Sequence, residues 1–211
     1  MERKRAMQTK LGILGGTFNP VHVGHLILAQ DALERFNLDR VLLIPCAQPP
    51  HKQALRLAGA ADRLTMLRLA VAGDPRFEVS AMELERSAPS YTVDTIRQLR
   101  AEQPERRLFF IIGTDSLLEL HQWRAIGELL ELCEFVTMLR RGFPVEQVDE
   151  GSLNLPAPWP ERLLRNLFTG HPVDVSSSEI RRRLAEGRRI RYLVPATVEQ
   201  YIREQGLYRG C

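Results

Sequence analysis

Short apolar runs alternate with amphipathic segments along the whole chain, and this pattern predicts the order of its strands and helices. Six apolar runs predict buried strands, at residues 11–14, 41–45, 77–79, 108–112, 135–139 and 173–175. Residues 25–36, 61–71, 92–102, 178–186 and 197–203 have helical spacing, and short helices are predicted within 116–130. Such alternation is typical of an α/β fold, a doubly wound parallel sheet with helices on both faces.

Two details of this pattern are specific enough to be tested. The helix over residues 61–71 is expected to bury Leu64, Leu67 and Val71, which share one face. The glycines and prolines between Arg141 and Pro160 predict a surface excursion rather than a domain boundary. We therefore expect one domain over residues 1–211, with its core at about 10–205 and a small C-terminal helical part.

Composition and charge restrict the class of protein. The chain of 211 residues is long enough for one sizeable core. Its net charge of +3 is mild, and no basic stretch interleaved with aromatic residues predicts a nucleic-acid partner. Almost all of its positive charge is arginine, which suits bidentate phosphate binding.

Cysteine usage and hydropathy bear on the compartment. Cys46, Cys133 and Cys211 are scattered and form no CxxC pair, which favours reduced thiols in the cytoplasm and argues against a disulfide framework or a zinc site. The N-terminal residues are basic, but no apolar segment follows them, so no signal peptide is predicted. Since no apolar run is long enough to span a bilayer, we expect no membrane association.

The stretch GGTFNPVHVGH, Gly15 to His25, follows the first predicted strand and carries the strongest chemical signal. In doubly wound sheets, ligands bind beyond the carboxyl ends of the strands. Gly15 and Gly16 are expected to allow a sharp turn and a close approach of a ligand to the backbone. His22 and His25 fall at the start of the next helix, where free N–H groups attract phosphate. Two imidazoles there favour phosphate chemistry over an incidental capped helix.

Three further segments are candidates for anion binding. In VSSSEIRRRL, Ser176 and Glu179 have the spacing of a capping box, and Arg181 lies one turn further on. In PSYTVDT, Thr92 is expected to cap a helix. In PPHK, Lys52 is either a phosphate contact or an exposed lysine.

The segment GTDSLLELHQW follows the most apolar strand and offers two candidate contacts. Asp115 lies where a carboxylate can accept hydrogen bonds from ribose hydroxyls. Trp123 either stacks on a flat ring or packs in the core, the commoner fate of a tryptophan. No group of acidic residues indicates a dedicated metal site.

GGTFNPVHVGH resembles the (H/T)xGH signature of the nucleotidyltransferase superfamily, and VSSSEIRRRL resembles its SSxxIR element. PSYTVDT and GTDSLLELHQW are similar to segments of the bacterial nicotinate-nucleotide adenylyltransferases. The resemblance covers most of the chain and implies a Rossmann-like fold. It also implies a stacking role for Trp123, and binding of the pyridine carboxylate by the backbone N–H groups of Thr92 and Arg124. Many relatives have another residue where this chain has Arg124.

The resemblance implies an enzyme that transfers AMP from ATP to nicotinate mononucleotide in NAD biosynthesis, releasing pyrophosphate. His22 and His25 are the predicted catalytic residues, and Mg²⁺ is expected to arrive with ATP. The predicted ATP-binding residues are Gly15, Gly16, Thr17, Phe18, His22, His25, Gly113, Asp115, Ser176, Ser177 and Arg181. The predicted mononucleotide-binding residues are Lys52, Thr92, Trp123 and Arg124.

Two alternatives stay open at this point. In the first, the chain is an adenylyltransferase for another phosphate acceptor, such as phosphopantetheine. In the second, it is a nucleotide sensor or an RNA-binding module that keeps the fold and has lost the transferase activity. The Thr92 and Trp123 segments count against the first alternative. The presence of His22, His25 and Arg181 counts against the second. The oligomeric state is left open.

Overall fold

One parallel sheet organises the computed structural model, which describes residues 9–47, 57–86, 89–139 and 148–209. The strands are β1 (Lys10–Gly16), β2 (Arg40–Pro45), β3 (Phe77–Val79), β4 (Arg107–Gly113), β5 (Glu134–Leu139) and β6 (Leu167–Thr169). They form one six-stranded sheet in the order β3-β2-β1-β4-β5-β6, and every neighbouring pair is parallel. This is the Rossmann-like doubly wound α/β fold that the sequence predicts.

Helices connect the strands and follow the last one. They are α1 (Val23–Arg35), α2 (Ala60–Val71), α3 (Thr92–Glu102), α4 (Thr114–Leu118), α5 (Ile126–Leu132), α6 (Trp159–Leu164), α7 (Ser177–Ala185) and α8 (Ala196–Glu204). Two 3-10 turns, Leu120–Gln122 and Gly151–Leu153, complete the regular structure of the described residues. No helix in this part of the chain is both long enough and apolar enough to cross a membrane.

The sheet separates two apolar cores because successive side chains along a strand point to opposite faces. On β4, Phe109 and Ile111 face one core, whereas Phe110 and Ile112 face the other. The first core is covered by α1, α2, α7 and α8, and the second by α3, α4, α5 and α6. Helices therefore pack on both faces, which explains why the strands are almost continuously apolar.

The strand order reverses between β1 and β4, which places a binding crevice at their carboxyl ends. From β1 the chain proceeds outward through β2 and β3, and from β4 it proceeds the other way through β5 and β6. Ligands of doubly wound sheets bind at this switch point. The loop that follows β1 and the start of α4 flank it.

The last strand is not where the apolar pattern predicts it. Residues 173–175 are not a strand; the strand is β6, and its Leu167 pairs with Thr137 of β5. Phe168 is buried in the core, whereas Val173 and Val175 are only half-buried. Pro172, which has no N–H to donate, comes immediately before the predicted segment. Residues 170–176 are therefore a loop beyond the carboxyl end of the sheet.

Three further predictions need correction. The core-facing residues of α2 include Arg63, Met66 and Leu67, while Leu64 is half-buried. The N-cap of α3 is Tyr91 and not Thr92, because the Asp94 N–H donates to the Tyr91 carbonyl. Between Arg141 and Pro160, where residues 148–160 are described, the predicted surface excursion is partly core, since Val148 and Leu153 are buried.

The C-terminal helices share the first core with the sheet. Ile180 of α7 and Val198 and Ile202 of α8 are buried in the same cluster as Leu33 of α1. The Val23 N–H at the start of α1 donates to the Leu193 carbonyl at 3.0 Å. This bond fixes the C-terminal segment against the helix start that carries both histidines.

Candidate active site

One large cavity lies at the carboxyl edge of the sheet and collects most of the predicted site residues. Its volume is about 1360 Å³, which exceeds the roughly 300–1,000 Å³ of ordinary small-ligand pockets. Its wall includes all of the predicted site residues that the structure describes: Gly15, Gly16, Thr17, Phe18, His22, His25, Thr92, Gly113, Asp115, Trp123, Arg124, Ser176, Ser177 and Arg181. Lys52 lies outside the described residues.

The sequence predicts a sharp turn at Gly15 and Gly16, but the loop after β1 turns at Phe18. Gly15 and Gly16 belong to β1, whereas Phe18 has a φ of 47° and is buried. A Cβ on Gly16 would lie 3.2 Å from the Phe18 ring. A side chain at position 16 would therefore crowd the buried Phe18 ring, which a glycine packs against closely.

His22 and His25 form a stacked pair at the start of α1. Their ring centroids are 3.7 Å apart, with an angle of 28° between the ring planes. The His22 backbone N–H donates to Nδ1 of His25 at 3.2 Å. Because Nδ1 accepts this bond, the proton of a neutral His25 ring lies on Nε2. The protein thus holds His25 as a donor at a helix N-terminus, where the helix dipole attracts anions.

The start of α7 supplies the second polar wall of the cavity. The Ser176 hydroxyl accepts a hydrogen bond from the Glu179 N–H at 3.2 Å, which confirms the predicted cap. The Ser177 hydroxyl donates to the Pro20 carbonyl at 2.9 Å, so α7 is tied to the loop after β1. The two helix starts are thereby held side by side.

Arg181 is held by two hydrogen bonds to its neighbours. Its Nη1 donates to the Asn19 carbonyl at 2.7 Å, and its Nη2 donates to the Ser178 hydroxyl at 3.1 Å. Partial burial lowers the pKa of Arg181, but a guanidinium stays protonated in proteins. The cation is thus fixed beside the serines of α7.

The opposite end of the cavity combines Trp123 with the start of α3. Trp123 is half-buried and packs edge-on against Phe110 and Phe135, with centroid distances of 5.9 Å and 6.1 Å. It still lines the cavity, so core packing and ring stacking are compatible in this side chain. Thr92 occupies the first position of α3, where helix N–H groups have no partner within the helix.

Arg124 connects the two segments at this end of the cavity. Its guanidinium carbon lies 4.3 Å from the centroid of the Tyr91 ring, a cation–π contact. The next residue, Ala125, has a φ of 51°, which is unusual for a residue other than glycine. The chain therefore turns sharply after Arg124, whose side chain lies over Tyr91.

Several residues at the cavity were missed by the sequence analysis. Glu83, Cys46 and His171 also line its wall. Burial raises the pKa of the Glu83 carboxyl, which accepts a hydrogen bond from the Thr95 hydroxyl at 2.6 Å. Burial also raises the pKa of the Cys46 thiol. Correct placement of β6 would have marked His171 as a residue that follows a strand.

Arg63 was missed because it lies on the core face of a helix. It is 1% exposed, and its guanidinium donates to four backbone carbonyls, those of Thr17, Cys46, Ala47 and Ala58. Within the described residues it forms no ion pair. The buried side chain joins the loop after β1 to the loop after β2. A charged residue within an apolar helical pattern was the only signal for this role.

The doubly wound sheet, with two helix starts and two histidines at its switch point, defines a nucleotide-binding protein of the nucleotidyltransferase class. Comparison with known families agrees, since the cytidylyltransferase-like profile matches residues 13–183. With this match and the relatives described next, the chain belongs to the cytidylyltransferase-like family, within its branch of nicotinate-nucleotide adenylyltransferases.

Two similar proteins are both described as probable nicotinate-nucleotide adenylyltransferases. The one from Synechococcus sp. strain JA-3-3Ab is 43% identical over 95% of this chain and 95% of its own length. The one from Geobacillus thermodenitrificans is 46% identical over 94% of this chain and 86% of its own length.

Solved structures show the same fold at lower sequence identity. Plasmodium falciparum nicotinic acid mononucleotide adenylyltransferase in complex with NaAD has a TM-score of 0.74 and 19% identity. The superposition covers 95% of this chain and 98% of that one. The same enzyme in complex with APC has a TM-score of 0.73.

Proposed function

We propose that this chain is an enzyme that transfers AMP from ATP to nicotinate mononucleotide, giving nicotinate adenine dinucleotide and pyrophosphate in NAD biosynthesis. The observation that carries the proposal is that the starts of α1 and α7 and the segments of Thr92 and Trp123 all line the same large cavity. The names of relatives that are 43% and 46% identical over nearly the whole chain support the choice of acceptor.

The reaction needs no nucleophile from the protein. An oxygen of the mononucleotide phosphate forms a bond to the α-phosphorus of ATP, and the bond from that phosphorus to the bridging oxygen breaks. Its electron pair leaves with pyrophosphate. Since the attacking phosphate is already an anion, the protein has to align the two phosphates and stabilise the charge that develops on oxygen.

His22 and His25 are assigned to the α-phosphate. A neutral His25 ring carries its proton on Nε2, because Nδ1 accepts the hydrogen bond from the His22 N–H. A fixed donor that strengthens its bond as charge develops lowers the barrier and needs no reorganisation. The stacked His22 ring limits the freedom of His25 to rotate away.

Ser176, Ser177 and Arg181 are assigned to the leaving pyrophosphate. The start of α7 offers backbone N–H groups and the positive end of the helix dipole. Arg181 uses one N–H on Asn19 and one on Ser178, and a guanidinium carries five. Its other N–H groups can bind phosphate oxygens.

The pyridine ring is assigned to the end of the cavity that contains Trp123. The backbone N–H groups of Thr92 and Arg124 are donors, which suits a carboxylate rather than a neutral amide. The Arg124 guanidinium lies over Tyr91 at the same end and adds positive charge. Lys52 stays a predicted phosphate contact, and Asp115 a predicted ribose contact.

Mg²⁺ is assigned to the substrate, as the metal that ATP carries. The part of the chain that the structure describes contains no group of three His, Cys, Asp or Glu side chains placed to hold a metal ion. Mg²⁺ bound to phosphates usually keeps several waters and needs only one or two protein ligands. We place the reaction in the cytoplasm, which suits the free thiols Cys46 and Cys133.

Release of pyrophosphate with a panel of acceptors tests the proposal. With Mg-ATP, nicotinate mononucleotide should give a kcat/KM well above those of nicotinamide mononucleotide and phosphopantetheine. A preference for phosphopantetheine would overturn the choice of acceptor. Binding of ATP with no turnover on any acceptor would favour a nucleotide sensor.

A further inference from the structure

Asn19 is a buried residue of the loop after β1, and its side chain joins distant parts of the chain. It is 4% exposed. Its Oδ1 accepts hydrogen bonds from the Ala58 N–H at 3.0 Å and from the Tyr208 hydroxyl at 2.8 Å. Because the Ala58 N–H can only donate, the amide oxygen and not the nitrogen must face it, and the Tyr208 hydroxyl then donates to the same oxygen. Its position in the loop is therefore fixed from two sides.

The backbone carbonyl of the same residue binds the cation assigned to pyrophosphate. It accepts the hydrogen bond from Nη1 of Arg181 at 2.7 Å. Two hydrogen bonds, one to the side chain and one to the backbone of Asn19, thus connect the Tyr208 hydroxyl to the Arg181 guanidinium. Displacement of Asn19 would move the acceptor that holds this guanidinium.

Tyr208 reaches Asn19 from outside the cavity. It lies beyond the end of α8 and is absent from the cavity wall. The chain turns back through Gly206 and Tyr208, which have φ values of 63°. Such a φ is disfavoured for tyrosine, so packing must hold it there. Its ring packs against the first core, and burial raises the pKa of its hydroxyl, which stays protonated as a donor.

We propose that Tyr208 is a positioning residue for ATP, acting through Asn19 to hold Arg181 where it meets the leaving pyrophosphate. The proposal rests on the function given above, because it assigns Arg181 to that group. Tyr208 touches no substrate. A residue beyond α8 therefore helps to set the geometry of a site whose other parts lie in the loop after β1 and in α7.

Tyr208→Phe removes one hydroxyl and keeps the ring, and the chain offers a matched control. The Tyr201 hydroxyl donates to Asp62 Oδ1 at 2.8 Å, between α8 and α2 and away from the cavity wall. Tyr201→Phe therefore removes a similar bond from the same C-terminal region. If ATP binding is weakened more by Tyr208→Phe than by Tyr201→Phe, the cause is the lost bond to Asn19 and not the loss of a tyrosine hydroxyl in general.

The measurements are the KM for Mg-ATP, the KM for nicotinate mononucleotide, and the Kd of a non-hydrolysable ATP analogue. Tyr208→Phe should raise the KM and Kd on the ATP side by roughly three- to tenfold, the size of one lost hydrogen bond. The KM for the mononucleotide should change less than about twofold. Tyr201→Phe should change none of these values by more than about twofold.

A double variant tests whether the effect passes through Arg181. In an Arg181→Lys background, Tyr208→Phe should add less than about a twofold change, because coupled residues are not additive. If Tyr208→Phe weakened ATP binding by the same factor in the Arg181→Lys background as in the wild type, the proposal would be overturned. It would also be overturned by a Tyr208→Phe variant that matches Tyr201→Phe, or by one that raises both KM values equally.

The Kd of the analogue separates this proposal from the proposed reaction. If the wild-type protein transfers AMP to no pyridine mononucleotide, the proposed function fails. An unchanged Kd in Tyr208→Phe contradicts the positioning role even when the wild-type protein is fully active.

Discussion

The carboxylate of Asp31 holds His171 by two bonds, although the two residues are 140 positions apart in the chain. Asp31 Oδ2 accepts from the His171 backbone N–H at 2.7 Å, and Oδ1 lies 2.7 Å from Nδ1 of the ring. Asp31 is buried on α1, whereas the His171 side chain is exposed at the cavity wall. A buried anion thus anchors the loop that follows β6.

The Asp31–His171 pair predicts a measurable pH dependence. The hydrogen bond and the charge of Asp31 raise the pKa of His171 above 6.5. The protonated pair therefore stabilises the fold fully below about pH 6.5, and this contribution is lost as the pH rises through the raised pKa. NMR titration of the His171 ring should show Asp31→Asn lowering its pKa.

Asp174→Asn is the matched control for that titration. Asp174 is an exposed residue of the same loop, whereas the charges that raise the pKa of His171 are those of Asp31 and, to a smaller extent, Glu34. Asp174→Asn should leave the pKa of the His171 ring unchanged. An equal shift in both variants would mean that general loop charge, rather than the bond to Asp31, sets the pKa.

His25→Ala should remove most of the turnover while the fold is kept. Loss of one donor to developing charge costs about 2.7–4 kcal/mol in a well-studied enzyme, on the order of 100- to 1,000-fold in kcat. His22→Ala should also be harmful, though less so, because the superfamily signature admits threonine there. Steady-state rates on folded protein test this, and a His25→Ala rate within a few-fold of wild type would contradict the catalytic role.

The enzyme should prefer nicotinate mononucleotide to nicotinamide mononucleotide by about tenfold to several-hundredfold in kcat/KM. The N–H groups of Thr92 and Arg124 offer donors only, so the NH₂ of an amide would face another donor. A buried group left without a partner costs roughly 1–3 kcal/mol, and 1.4 kcal/mol is a factor of ten.

Trp123→Ala is the companion variant for this comparison. It should impair both pyridine substrates by similar factors, because stacking does not distinguish an acid from an amide. Measurements of kcat/KM at saturating Mg-ATP test both points. A wild-type ratio near one would rule out the donor-only site.

Arg63→Ala should destabilise the protein by about 3 kcal/mol or more. It would leave the four carbonyls that Arg63 now binds without their donor in a buried region. Arg68→Ala on the exposed side of the same helix should change stability by less than about 0.5 kcal/mol. Denaturant unfolding of both variants tests this, and similar losses would contradict the special role of Arg63.

Local pattern was sufficient for most of the secondary structure. The five predicted strands from residue 11 to residue 139 are present. β1, β2, β4 and β5 are buried on both faces and are therefore continuous apolar runs, whereas β3 is a half-buried strand at the edge of the sheet. The cap at Ser176 was also predictable, since it depends on residues three positions apart. The motifs that follow β1 and precede α7 could be placed at the switch point once strand order was assumed.

Other features were decided only when distant segments met. The position of β6 depends on pairing with β5, and Val173–Val175 has a similar local pattern without that partner. Arg63 is buried because four carbonyls from the loop after β1 and the loop between β2 and α2 converge on it.

The sequence by itself determined the first five strands, most of the helices and the residues that follow them, because hydrophobic periodicity and capping act over a few neighbouring positions. Only the tertiary structure decided which polar groups from distant parts of the chain bind one another. The Tyr208–Asn19 bond spans 189 residues and the His171–Asp31 bond spans 140. Such pairs leave no local pattern, because their geometry is set by how the helices pack on the two faces of the sheet.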